Sequence, residues 1–369
     1  MPDLYIGLMS GTSLDGVDGV LADFASAAPR VLAHASAPFE APLRKELLAL
    51  NAAGPDELHR SALAGNALVR VYAQVVRQLL EAAGCSPEDV NALGAHGQTV
   101  RHRPGEFDGT GYTWQLNQPA LLAELTGVDV VADFRARDVA AGGQGAPLAP
   151  FFHRAMFARS GATVGVLNIG GISNLSLLRA DGSQLGFDCG PGNALMDAWC
   201  LRHMGQPYDD QGRWAAGGRV IDALLHALLA EPYFAKPPPK STGRDLFNEP
   251  WLQSRLQAFA GADPQDVQAT LAELTARACA ADVERHEPGL QQLIVCGGGA
   301  LNAHLMRRLQ ALLPGSRVAS SEDAGLPPLQ VEACAFAWLA RKCVLREKLE
   351  LTSTTGARGA RVLGAVYPR

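Results

Sequence analysis

Short apolar runs that end in polar, glycine-bearing turns recur along this chain. Leu4 to Met9 reads as a buried strand and runs into Ser10-Gly11-Thr12-Ser13-Leu14-Asp15-Gly16-Val17-Asp18. Val17 to Phe24 and Val31 to Ala37 then predict two more strands. Asp56, after Gly54-Pro55, is a predicted helix N-cap. Leu68, Val71, Tyr72, Val75, Val76, Leu79 and Leu80 recur at helical spacing until Gly84. Val90 to Ala95, a helical Pro119 to Leu125 and strand Val128 to Ala132 follow. The second half repeats the order. Thr163 to Ile169 runs into Gly170-Gly171-Ile172-Ser173-Asn174, with strands Leu175 to Leu178 and Gln184 to Phe187 behind it. A helix from Gly192 to His203 and a mostly helical insertion lead to strand Leu290 to Cys296. Helix Asn302 to Leu313, strand Arg317 to Ser320 and helix Val331 to Arg346 complete the pattern. Two βββαβαβ-like units in tandem predict an α/β protein with a nucleotide cleft between similar halves.

The position of the turns excludes two common nucleotide folds. In a P-loop or dinucleotide-binding unit the glycine turn opens a helix, and here both turns open strands. Lys240-Ser241-Thr242 lacks the preceding Walker glycines. Gly297-Gly298-Gly299-Ala300-Leu301-Asn302 does open a helix, but Asn302 stands where the third fingerprint glycine belongs. Composition narrows the class further. With 369 residues there is room for two cores. A formal charge of −5 without a basic block argues against nucleic acid. No apolar run reaches membrane-spanning length, and the chain enters a strand almost at once, so no signal peptide or membrane partner is expected. Seven scattered cysteines without a Cys-x-x-Cys pair read as reduced thiols of a cytoplasmic protein.

Chemistry can be assigned to these positions by residue type. Gly11 and Gly16 permit close backbone approach, and Ser10, Thr12 and Ser13 offer hydroxyls to anionic oxygens. Asp15 and Asp18 repel phosphate, but either can hold Mg²⁺ through water; the alternative is a tight hairpin with surface acids. Asp188 stands just before a helix, where a carboxylate is ordinarily an N-cap. The intervening Cys189-Gly190-Pro191-Gly192 weakens that reading. Glu332, at the start of a helix, is either a site residue or a solvated first-turn acid. Three consecutive glycines, Gly297 to Gly299, exceed what a strand-to-helix turn needs and argue for close approach to a ligand.

The segment Gly7 to Asp18 (GLMSGTSLDGVD) resembles the phosphate-binding signature of the anhydro-N-acetylmuramic acid kinases, in the sugar kinase, heat-shock chaperone and actin superfamily. Ala95 to Thr99 (AHGQT), Val131 to Arg135 (VADFR), Ala140 to Pro147 (AAGGQGAP), Leu167 to Ser173 (LNIGGIS), Phe187 to Asn193 (FDCGPGN), Lys240 to Arg244 (KSTGR), Val295 to Asn302 and Glu332 to Ala340 resemble that family in order across nearly the whole chain.

The resemblance implies two RNase H-like, actin-like ATPase domains flanking the cleft, divided as 1–132 plus about 347–369 and 133–346. It implies ATP as phosphoryl donor with Mg²⁺. Gly11, Thr12, Ser13, Leu14, Asp15, Gly16, Val17 and Asp18 would bind the phosphates, met by Gly170 and Gly171 from the other domain. Gly297, Gly298, Gly299 and Asn302 would lie at the adenosine, and Asp15 or Asp18 at the metal. Asp188 corresponds to the general base and Glu332 to a glutamate at the sugar. Ser10, His96 and Thr99 are expected at the substrate. Arg135 is expected on its lactyl carboxylate, or else in a structural network with neighbouring aspartates. Gln144 is a substrate contact or a hinge, and Lys240 to Arg244 a nucleotide contact or an anchor of the insertion. The implied activity opens the 1,6-anhydro ring and phosphorylates O6, within cell-wall recycling, in a homodimer.

Overall fold

The strand β1 (Leu4–Met9) is the centre of a six-stranded sheet. Its hairpin partner β2 (Gly16–Asp23) pairs antiparallel, and β3 (Arg30–Pro38) extends that side. On the other side β4 (Ala92–Ala95) and β7 (Val130–Ala132) run parallel to β1, and β13 (Ala365–Tyr367) closes the edge antiparallel. Between β4 and β7 lies a separate hairpin, β5 (Gln98–Pro104) with β6 (Gly111–Leu116). The order β13-β7-β4-β1-β2-β3 is therefore a 3-2-1-4-5 sheet with one added edge strand. This computed structural model describes every residue except Met1, Thr12, Ser13, Ala27, Ala28 and Arg244.

The second sheet repeats the scheme. β8 (Val164–Ile169) pairs antiparallel with β9 (Ile172–Leu178), which pairs antiparallel with β10 (Gln184–Pro191). β11 (Gln292–Cys296) and β12 (Arg317–Ser320) run parallel to β8. The order β10-β9-β8-β11-β12 is again 3-2-1-4-5. The tandem repeat expected from the apolar pattern is present, and each copy has its own apolar core. The expected helical insertion lies between β10 and β11, and its longest helix, Pro264–His286, packs against β9 and β10.

The chain divides at other points than the sequence suggests. One compact unit comprises residues 1–156 and 329–369, the other 157–328. The divisions expected at 132/133 and 346/347 compare with 156/157 and 328/329 for these units. Helix Val331–Val344 belongs with the first unit because it lies directly on β1 and β4. A Cβ on Gly7 would stand 1.9 Å from the carbonyl oxygen of Ala333, and one on Gly94 2.2 Å from that of Phe336. Two glycines thus let a helix backbone touch the sheet. Its Phe336, Trp338 and Leu339 are buried, as core residues should be.

Long helix Glu57–Ala83 ends at Gly84 in the left-handed conformation, φ 64°, as its sequence predicts. Asp56 does occupy the N-cap position, but its φ is 52° and its side chain makes no capping bond. In the second unit Glu273 is buried on helix Pro264–His286 and shared by two guanidiniums. Arg277 Nε donates to it at 2.8 Å and Arg308 Nε at 2.7 Å. Burial pulls this carboxyl upward, yet the two arginines hold it net below its ordinary 4.5. A depressed carboxylate stabilises the fold above its unfolded value and loses that contribution as pH falls through the folded one. Glu273→Gln should therefore cost about 2 kcal/mol at pH 7, less than a fully buried pair because both arginines reach water. In urea titrations the difference should shrink below about pH 4; a pH-independent loss would contradict the assignment.

Candidate active site

In the first unit, the turn after β1 spans residues 10–17 between the paired Met9 and Asp18. Ser10 is buried, with its hydroxyl 2.9 Å from that of Tyr72 and donating to the Gly97 carbonyl at 3.1 Å. Gln98 Nε2 donates to the Gly11 carbonyl at 3.2 Å. The turn is thus fastened from below by the His96-Gly97-Gln98 segment, which leaves β4. Thr12 and Ser13 lie outside the described residues. Leu14 adopts φ 57° and is buried, while Asp15 is exposed. Asp18 faces a neighbour instead, its Oδ1 3.5 Å from His34 Nε2 on β3. Val17 is buried in the core. Gly16 has a packing reason that the sequence did not show: a Cβ there would meet the Ala37 carbonyl oxygen at 2.3 Å.

His96 is buried against Phe336, ring centroids 4.7 Å apart. Arg135 Nε donates to His96 Nε2 at 3.0 Å and Arg135 Nη1 to the Gly145 carbonyl at 2.8 Å. An arginine only donates, so His96 Nε2 must accept and the ring proton sits on Nδ1. Burial, then the Arg135 charge, hold His96 well below its ordinary value, and it stays neutral. Among the described residues His96 Nδ1 has no hydrogen-bond partner. A buried donor left unpaired costs stability, and this atom shares that state with His102 Nε2 and His153 Nε2. Thr99 receives Gln115 Nε2 at 3.2 Å across the hairpin.

Arg135 thus spends two donors inside the protein, within a larger network. Asp138, fully buried, accepts the Gly145 N–H at 2.6 Å and the Thr355 hydroxyl at 2.5 Å. Gln144 is half-buried, and its backbone N–H goes to the Thr355 carbonyl. Glu332 lies in the first turn of helix Val331–Val344, four residues before Phe336 and so on the same helix face.

In the second unit the turn after β8 is shorter, residues 170–172 between the paired Ile169 and Ser173. The Gly170 carbonyl accepts the Asn193 N–H, and that of Gly171 accepts those of Gly192 and Ala194. Both carbonyls therefore face the FDCGPGN segment. Asp188 is buried within β10, beside a bulge, and not at a helix cap. Its carboxylate accepts the Thr242 N–H at 3.0 Å; its own N–H donates to the Lys240 carbonyl. The Tyr233 hydroxyl donates to the Asp188 carbonyl at 2.8 Å. Residues 240–242 are thus bonded to this strand at Asp188. Arg244 lies outside the described residues.

The three glycines after β11 divide by role. A Cβ on Gly297 would meet Asn168 Oδ1 at 2.5 Å, and one on Gly299 would meet Ile169 Cβ at 2.4 Å. Gly298 alone is exposed. Asn302 caps the following helix, accepting the Leu305 N–H at 3.0 Å. What reasoning on sequence missed here are the supports: Tyr72 under Ser10, Thr355 under Asp138, and Asp282, which pairs with Lys240. Each partner is distant in sequence and carries no local signal.

A sheet of order 3-2-1-4-5 is built twice, each time with a turn after its first strand. The family model for anhydro-N-acetylmuramic acid kinase matches residues 3–369. Proteins of that name from Variovorax paradoxus and Albidiferax ferrireducens are 66% and 63% identical, over 99% and 100% of both chains. One from Cupriavidus metallidurans is 59% identical over 100% of this chain and 98% of its own. The chain belongs to the anhydro-N-acetylmuramic acid kinase family.

Proposed function

We propose that this protein is an ATP-dependent kinase that opens 1,6-anhydro-N-acetylmuramic acid with water and phosphorylates the oxygen so released. Family membership along the full chain supports the activity, and the observation that carries the mechanism is the buried, backbone-anchored Asp188. The substrate's O6 is locked in the anhydro bridge, so a kinase must break the C1–O6 bond before or as it phosphorylates. Asp188 takes a proton from water, which attacks C1, and O6 leaves as the nucleophile for the γ-phosphoryl group. The logic is that of an inverting glycosidase in which a phosphoryl group captures the leaving oxygen.

The remaining residues bind and orient. His96 Nδ1–H donates to a sugar acceptor, with Thr99 beside it, and Glu332 orients the sugar or the water. Ser10 contributes mainly by holding the turn, through Tyr72 and Gly97. Arg135 serves the sugar site by fixing His96, with its lactyl-carboxylate contact as a second task; Gln144 lines the same network. ATP phosphates take the Gly11 to Asp18 turn and the Gly170-Gly171 turn, and adenosine passes Gly298. Among the described residues no group of three or more acidic, histidine or cysteine side chains forms a metal cage. Exposed Asp15 fits Mg²⁺ that keeps water and phosphate as its other ligands; Asp18, turned to His34, fits it less well. When bound, Mg²⁺ neutralises phosphate charge. A homodimer in the cytoplasm belongs to the same reading. No helix among the described residues is long and apolar enough to cross a membrane.

Turnover in ¹⁸O-water tests the reading. Solvent oxygen should appear at C1 of the 6-phosphorylated product. A kinase for ordinary hexoses would leave C1 unlabelled, and a nucleotide-switched protein would release ADP without regard to the sugar.

A further inference from the structure

Lys240 is buried and faces Asp282, its Nζ 3.1 Å from Oδ2 and 3.4 Å from Oδ1. Only 2% of the lysine side chain and 4% of the aspartate are exposed. The ammonium also lies 5.3 Å from the ring centroid of Phe187 and 5.1 Å from that of Tyr233. Stability alone does not account for such a pair, because an apolar pair of the same volume is often as stable or more so. Its connections give it another purpose. Lys240 grips β10 at two successive residues: its ammonium lies over Phe187, and its carbonyl takes the Asp188 N–H. Two residues further on, the Thr242 N–H reaches the Asp188 carboxylate. Pro237, Pro238 and Pro239 precede Lys240 and restrict the backbone that delivers it.

We propose that Lys240 and Asp282 form a positioning pair, which seats residues 240–242 so that the Thr242 N–H orients the Asp188 carboxylate. This rests on Asp188 as the base under the proposed function. Among the described residues, charged and titratable groups approach the pair from three elements. Tyr233 comes from the turn Pro232–Ala235, and Cys189 sits on β10 beside Cys279. Asp282, Arg285 and His286 project from helix Pro264–His286, with Arg285 on Asp282 and His286 on the Phe187 ring. Cutting the pair leaves all but Asp282 in place. It removes the seat of a donor that favours the charged carboxylate.

The test is a ¹³C NMR titration of the Asp188 carboxyl in the full-length protein, with steady-state kinetics alongside. In Lys240→Met with Asp282→Leu, the Asp188 pKa should rise by about one pH unit. The acid limb of kcat/KM should move with it, and kcat should fall about tenfold with KM for ATP unchanged. Thr242→Pro deletes the N–H itself and should raise the Asp188 pKa in the same direction with the buried pair intact. If the apolar pair does not fold, Asp282→Glu, which lengthens the bridge by one methylene, should show the same upward movement. Folded variants that titrate Asp188 as the native chain does would overturn the pair's role. The titration needs no turnover, so inactivity toward the anhydro sugar would count against the function and leave this inference to be judged by NMR.

Discussion

Asp188→Asn should reduce sugar-dependent ADP release by about a thousandfold, the size expected when a general base is lost. Asparagine matches the shape of the side chain and can still accept the Thr242 N–H, so the bulge in β10 should survive. KM for ATP should change little, because the turns assigned to phosphate are built from other residues. Slow ATP hydrolysis without sugar should persist at its native level. Steady-state ADP release with and without the anhydro sugar, next to a thermal melt, checks each point. Retention of more than about a tenth of the sugar-dependent rate in a folded variant would remove Asp188 from the chemistry.

The second large effect is structural, and it falls at a residue inside the phosphate signature. Gly7→Ala places a methyl 1.9 Å from the Ala333 carbonyl oxygen and 2.5 Å from the Ala337 nitrogen. Both atoms are helix backbone, which cannot rotate away as a side chain can, so helix Val331–Val344 must lift from β1. The cost should be about 3 kcal/mol, at the upper end for overpacking, or roughly 10 °C in Tm. Gly261→Ala is the control: its Cβ meets nothing within 4 Å and its φ is not left-handed. That change should stay within about 0.5 kcal/mol. Equal melting of the two variants in differential scanning calorimetry would refute the close packing. Because Glu332 sits in the first turn of the same helix, Gly7→Ala should also raise KM for the sugar.

Much of this architecture was legible because period and punctuation agreed. β1, β2, β8 and β11 are apolar runs stopped by glycine or polar turns, and helix Glu57–Ala83 shows its buried stripe plainly. The hairpin β5–β6 was not legible. Arg101, His102 and Arg103 stand in β5, which is mostly half-buried and shows no clean alternation. β13 is three residues long, too short for any pattern. The placement of the last long helix was not legible for a different reason. Helix Val331–Val344 is apolar on nearly every side, which reveals burial but not which sheet it covers.

The candidate residues divide in the same way. Asp188 and His96 stood out in the sequence as polar residues directly after short apolar runs. Their supports were not, since Lys240 and Asp282, or Asp138 and Thr355, meet only in the folded chain. Glycines carry a second reading. Beside Gly16, Gly297 and Gly299 a Cβ would meet the protein's own carbonyls and side chains, which no local pattern shows.

The second unit is a continuous stretch, 157–328, set inside a first unit that resumes at Leu329. During synthesis the inner unit has all its strands available before the outer one does. β1, β4 and β7 leave the ribosome early, yet the helix that covers Gly7 and Gly94 and the strand that closes β7 are made last. A nascent chain held with residue 328 just clear of the ribosome exit tunnel should therefore carry a protease-resistant inner unit on an outer unit still open along one face. The protein's first-made sheet is the last to be finished.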